Sequence, residues 1–254
     1  MDTAVLKAVD LRLAFGGLQA VDGVGFDIFP EELVALVGPN GSGKTCVLNM
    51  INNIYHGSGA ITFLGQDITH LPPYKIAGMG IGRSFQMVEL FRHMTTLDNL
   101  LLGCHTQMRS NLLGCGTYWG FAQKEELSYR EWVEEIIDFL EIGRYRKQLV
   151  VNLPFGAQKL VGVARALVMK PKLILLDEPC SGMNRQEKED LARFLLRIKY
   201  TRKVPILWVE HDIKMVTDLA DKIIVLNFGQ KIADGPPEEV VANPAVLKAY
   251  LGTA

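Results

Sequence analysis

The apolar run Leu33-Val34-Ala35-Leu36-Val37 leads directly into Gly38-Pro39-Asn40-Gly41-Ser42-Gly43-Lys44-Thr45, and the helical segment CVLNMINNI follows. These residues fit GxxxxGK[ST] in the order strand, glycine loop, helix that a phosphate-binding loop requires. Glycines let a backbone wrap closely around a phosphate, the start of a helix offers free amides, and Lys44 adds a point charge for the outer phosphates. Thr45 then supplies a hydroxyl suited to Mg²⁺. A glycine-rich turn with an accidental lysine is the competing reading. Strand, loop and helix falling in order argue against it, and the loop restricts the chain to an α/β core.

The remaining pattern agrees. Short Val, Ile and Leu runs alternate with segments of helical period, as in a sheet with helices packed on its faces. LVALVG at 33–38, KLILLD at 172–177, PILWVE at 205–210 and KIIVLN at 222–227 are apolar on both alternations, which predicts four buried, central, parallel strands. LKAVDLRLAF, VGFDIF and GAITFLG alternate better and end in turn residues, which predicts a separate antiparallel layer. The strand signal disappears between about 95 and 150. There Tyr129, Trp132, Val133, Ile136, Ile137 and Leu140 recur at spacings of three and four, the apolar stripe of one packed helix. LLGCGTYWGF at 112–121 has no clear period and reads as either a loop or a partner contact. GPPEEV at 235–240 reads as a turn into a short helix.

Two acids, Asp177 and Glu178, close the strand LILLD at the edge where the glycine loop opens. Asp177 suits Mg²⁺ coordination through water. Glu178 suits polarising a water in line with a terminal phosphate. Solvated strand ends are the alternative, made weaker by the nearby loop. His211 follows another strand and opens DIKMVTDLA, while Gln86 follows IGRSF. Alone, His211 reads as a surface or capping residue, and a glutamine after a strand is common.

Composition narrows the classes. Lys and Arg total 27 against 28 Asp and Glu in 254 residues, so no excess of positive charge marks a nucleic-acid or anionic-lipid binder. The cysteines Cys46, Cys104, Cys115 and Cys180 are too scattered for a zinc site and read as inert thiols. The first ten residues, MDTAVLKAVD, lack a signal-peptide pattern. No apolar run reaches the roughly 18 residues of a spanning helix. The expectation is a cytosolic chain that reaches a membrane only by docking on other subunits.

Taken in order along the chain, these features resemble the ABC-transporter ATPase family over essentially the whole length. The resemblance implies a P-loop NTPase core of ABC type with an antiparallel β layer, a helical subdomain at about 95–170 and a short C-terminal helical extension at about 237–254. Phe15 in LAFGGLQAV sits where the family stacks an aromatic on adenine. Gly38, Pro39, Asn40, Gly41, Ser42, Gly43, Lys44, Thr45 and Cys46 match its P-loop and the start of the following helix. Gln86 matches the Q-loop glutamine, a metal and catalytic contact; LILLDE is the Walker B segment, with Asp177 toward the metal and Glu178 catalytic. SGMN at 181–184 resembles the D-loop, and His211 matches the switch histidine. The family's LSGGQ signature is degenerate here, as Leu153-Pro154-Phe155-Gly156-Ala157 followed by QKLVGVARAL. Its leucine, second glycine and trailing ARAL helix remain.

FGGLQAV, GRSFQMVELFRHMTTLDNL, VEHDIKMV, IADGPPEEV and NPAVLKAYLG resemble, within that family, the ATPase of branched-chain amino acid importers. Importers of urea, amides or aromatic acids share such phrases. The resemblance implies ATP with Mg²⁺ and a head-to-tail dimer in which each nucleotide lies between one P-loop and the other subunit's signature. It also implies a second, different ATPase chain, with a homodimer as the alternative. Two membrane permeases would complete the assembly at the cytoplasmic face of the plasma membrane, and a separate extracytoplasmic binding protein reads the solute. A soluble P-loop kinase would want an acceptor site and an arginine-rich lid. A chromosome-type ATPase head would carry a coiled coil or basic arms, and a regulatory module would not need Glu178.

Overall fold

The computed structural model describes residues 3–84, 90–105, 121–211 and 213–251. Its parallel sheet is built from β3 (Leu33–Val37), β6 (Ile81–Ser84), β7 (Leu173–Asp177), β8 (Ile206–Glu210) and β9 (Lys222–Asn227), with β10 (Gln230–Gly235) added antiparallel at one edge. The spatial order is β10-β9-β3-β8-β7-β6. The four apolar runs are thus contiguous, as expected, with β6 and β10 at the edges.

Why these strands are apolar on both alternations is visible in the packing. Leu33, Ala35 and Val37 of β3 face one core, together with Ile174 and Leu176, Ile206 and Trp208, and Ile223 and Val225. Val34 and Leu36 face the other, with Leu173 and Leu175, Leu207 and Val209, and Ile224 and Leu226. A strand buried on both faces cannot afford a polar alternation. The second core is roofed by an antiparallel sheet of order β2-β1-β4-β5, formed by β1 (Leu6–Phe15), β2 (Leu18–Ile28), β4 (Ser58–Phe63) and β5 (Gln66–Asp67). Its strands alternate because only one side is packed; Leu6, Ala8, Leu11 and Leu13 of β1 are buried in that core.

The helices α1 (Lys44–Ile51) and α2 (Pro73–Met79) pack into that second core, whereas α3 (Thr96–Cys104), α4 (Phe121–Phe139) and α5 (Phe155–Val168) pack on one another over the opposite face. The α4 stripe behaves as its period predicts, with Val133, Ile136 and Ile137 buried and Tyr129 and Trp132 packed against the same core. Thr95 caps α3 by accepting from the Asp98 amide, and Asn184 forms a capping box with Glu187 at the start of α6 (Arg185–Arg197). The short helices α7 (Ile213–Thr217), α8 (Pro237–Val241) and α9 (Pro244–Leu251) complete the described chain. GPPEEV turns into α8 as expected. The helix after His211 is shorter than DIKMVTDLA suggests. Gln86 and the stretch 112–120 lie outside the described residues.

Trp208 sits in the middle of β8 with no exposed surface, and its indole Nε1 has no hydrogen-bond partner among the described residues. Trp208→Ala is therefore expected to cost about 3–5 kcal/mol in urea unfolding, as a large aromatic lost from a packed core does. Trp208→Phe should cost distinctly less, because it keeps a ring and removes an unpartnered donor.

Candidate functional site

Parallel pairing brings the carboxyl ends of the central strands to one edge. Val37 is opposite Glu210, and Asp177 is opposite Val209. The glycine loop starts where β3 ends, and α1 begins at Lys44, with Gly43 as its N-cap at φ 100°. A side chain at Gly43 would collide with the carbonyl of Ala20, and one at Gly38 with that of Leu226. The loop is therefore held by backbone on two sides. Gly229 of the β9–β10 turn adds a hydrogen bond from its amide to Ser42 O at 3.1 Å.

Within this frame Lys44 is 5% exposed, and its Nζ donates to Gly38 O at 2.8 Å and to Pro39 O at 3.0 Å. Burial pulls its ammonium below the ordinary lysine value, while Glu178, Asp177 and Glu210 oppose that pull. Thr45 Oγ1 donates to Asp177 Oδ1 at 3.4 Å. Asp177 is 3% exposed, and burial pushes its carboxyl above the usual range, countered by Arg83. Arg83 Nη2 meets Asp177 Oδ2 at 3.1 Å.

Glu178 carries a backbone φ of 44°, a left-handed setting that a non-glycine residue adopts at a cost and that is common at functional positions. Its amide donates to Val209 O at 3.0 Å, so β8 holds the turn in place. His211 Nδ1 lies 4.0 Å from Glu178 Oε2 and 3.6 Å from Glu210 Oε2. Glu210 is buried and accepts from the Cys180 amide at 3.1 Å, joining the end of β8 to the loop after Glu178. Gln86 follows the end of β6 by two positions, outside the described residues.

A groove of about 410 Å³ runs along the loop, lined by residues 40–46, Glu178, Phe15 and Phe228. It suits a nucleotide's polyphosphate: the loop glycines leave backbone open, and the buried hydroxyl of Ser42 has no hydrogen-bond partner among the described residues. Thr45 and Asp177 offer the hard oxygen donors that Mg²⁺ prefers. Phe15 is half exposed at the end of β1, opposite Leu18, and its ring meets Tyr55 edge-on with centroids 5.2 Å apart. It is the last paired residue of β1 and borders the groove. Cys46 lines the groove from α1, and burial raises its thiol pKa.

The segment Leu153–Ala157 lies elsewhere. None of Leu153–Ala157 is among the residues lining this groove. Pro154 is the N-cap of α5 and makes no side-chain cap. Leu153 buries its side chain in the helical core, leaving its backbone as its only contribution to a ligand. Gly156 faces the chain's own Glu187, whose carboxylate occupies the space a Cβ there would need. Phe155 stays half exposed, with its ring against Gly182.

Sequence reasoning missed Arg83, Glu210 and Phe228. Arg83 interrupts a short apolar strand just before Gln86, which was a usable signal. Glu210 and Phe228 had none, since an acid before a histidine and an aromatic in a turn are common.

Comparison with known proteins gives the family. The ABC transporter family model matches residues 21–181, and a model described as branched-chain amino acid ATP-binding cassette transporter matches residues 230–254. The chain is 36% identical, over the full length of both, to the high-affinity branched-chain amino acid transport ATP-binding protein BraF of Pseudomonas aeruginosa. It is 38% identical, again over both full lengths, to the similarly described LivG of Escherichia coli strain K12. A crystal structure of an ATP-binding cassette of an ABC transporter, in its ADP conformation, superposes with a TM-score of 0.85 at 30% identity, covering 99% of this chain and 100% of that one. The phosphate loop, the paired acids at the end of β7 and these full-length matches show that the chain belongs to the ABC transporter family, as one of its ATP-binding, ATP-hydrolysing subunits.

Proposed function

We propose that the chain binds ATP with Mg²⁺ in the groove along residues 40–46 and hydrolyses it to drive uptake of branched-chain amino acids or related small solutes. The observation that carries the solute class is the C-terminal match at 230–254, which lies outside the general ABC match and agrees with the full-length relatives named for that transport. The chain would act as one of two different ATPase subunits beneath two membrane permeases; among the described residues no helix is long and apolar enough to cross a membrane. Co-purification with two hydrophobic permeases, then uptake of labelled leucine, valine and isoleucine into vesicles, tests this. Uptake of urea or an amide instead would move the solute class.

In this reading Lys44 and the loop amides bind the outer phosphates, and Phe15 stacks on adenine. Thr45 and Asp177, with Gln86, hold Mg²⁺, which supplies neutralising charge for the phosphates. Glu178 accepts the proton of the attacking water, and His211 contacts the terminal phosphate. Leu153–Ala157 serve the nucleotide of the partner ATPase. Pro154 provides neither the hydroxyl nor the amide a serine would, and Glu187 already sets a negative charge against Gly156. Both features weaken closure at that second site.

Lys44→Ala should lower nucleotide affinity at least about tenfold in titration, because it removes the loop's side-chain cation. Glu178→Gln should bind ATP as the parent does and lose about 10²- to 10⁴-fold in turnover, the range for general-base removal. Parent-level hydrolysis would assign the base elsewhere. Pro154→Ser should strengthen ATP-dependent association with the partner ATPase, measured by ultracentrifugation in the Glu178→Gln background. Because serine is also a good N-cap, worth about 1 kcal/mol, the melting temperature of the isolated chain separates the two effects. Unchanged association with a raised melting temperature would leave position 154 a helix start only. Gly156→Asp, in contrast, would strike Glu187 within the same chain, so it does not report cleanly on phosphate.

A further inference from the structure

We propose that Arg83 is the positioning residue of the Mg²⁺ site, fixing the Asp177 carboxylate so that one oxygen is held and the other is presented toward Thr45. The inference rests on the reading of Thr45 and Asp177 as metal ligands. Arg83 Nη2 binds Asp177 Oδ2 at 3.1 Å, while Thr45 Oγ1 reaches the other oxygen, Oδ1, at 3.4 Å. The two oxygens are thus assigned to different partners. Arg83 Nη1 also donates to Asn49 Oδ1 at 2.7 Å. Asn49 lies on α1 one turn beyond Thr45, so a single planar guanidinium ties the helix that carries one ligand to the carboxylate that is the other.

The pair is well shielded, with side chains 7% and 3% exposed. In such a setting a carboxylate keeps its charge only with a fixed counter-ion, and a guanidinium fork sets direction as well as charge. Lysine, a point charge, would neutralise Asp177 without holding both Asn49 and Oδ2. Strand pairing keeps the fork in register, since Arg83 of β6 lies opposite Leu175 of β7, two positions before Asp177. A counter-ion that only neutralised buried charge would not need the contact with α1.

The test is Mn²⁺ titrated into the ATP-loaded, Glu178→Gln protein and followed by electron paramagnetic resonance, with ATP affinity measured separately in excess EDTA. Arg83→Lys is expected to weaken Mn²⁺ binding about tenfold while metal-free ATP affinity stays within about twofold, differences well resolved on the scale of 1.4 kcal/mol per decade. Asn49→Ala, which leaves the buried ion pair in place, should shift Mn²⁺ affinity in the same direction by a smaller factor and serves if Arg83→Lys fails to fold. Asp177→Asn is the reference. If it weakens Mn²⁺ and neither Arg83→Lys nor Asn49→Ala does, Arg83 is a buried counter-ion and the proposal is overturned. If Asp177→Asn itself leaves Mn²⁺ affinity unchanged, the reading of the metal site fails and the proposal falls with it.

Discussion

The site depends on the parallel ladder that joins β9, β3, β8 and β7. Each strand is buried on both faces, so a slip by one residue would move every side chain into the opposite core and spoil the packing of both. That rigidity is transmitted to the strand ends. Val37 opposite Glu210, and Asp177 opposite Val209, set the glycine loop, Asp177 and His211 on one edge. The left-handed turn at Glu178 is held in the same way, by its amide on Val209 O. Its backbone cost is tolerable because the ladder beneath is already paid for by burial.

Charge at this edge is balanced within the protein. Asp177 pairs with Arg83 and Thr45, Glu210 accepts from the Cys180 amide, and Lys44 turns back onto two loop carbonyls. Lys159, buried on α5, feels Glu210, Glu178 and Asp177 from the helical side, although burial still draws its ammonium below the ordinary value. Lys44 is therefore already partnered within the protein, and an anion that reaches it must displace two carbonyl contacts.

Much of this was legible in the sequence. The four central strands announced themselves because double-sided burial leaves uninterrupted Val, Ile and Leu runs, and the antiparallel layer because single-sided burial leaves alternation. The P-loop and the acids at the end of β7 were legible because their chemistry demands particular residue types at particular spacings. β6 was legible only as the strand ahead of Gln86, because Gly82 and Arg83 break its apolar run. Gly82 is there to let the strand pass close to Ala166 O and Pro171, where a Cβ would be crowded at 3.0 and 3.2 Å, and Arg83 to reach Asp177. β10 escaped notice as a half-buried edge strand with no apolar signal. Gly156 could be read as a phosphate-facing glycine, but nothing in one dimension shows that Glu187, thirty-one positions later by number, fills the space beside it.

The two ends of the cassette are consequently built on different physics. The groove along residues 40–46 is set by strand ends, whose positions follow from a ladder buried on both sides. The Leu153–Ala157 segment is set by the start of one helix, whose N-cap makes no side-chain hydrogen bond and whose first turn leans on the capping box of another. A ladder has little freedom to adjust, whereas a helix start can shift with the helices packed around it. A substitution at the helix start is therefore absorbed more easily than one in the ladder, and Pro154 sits there as an N-cap without a side-chain hydrogen bond.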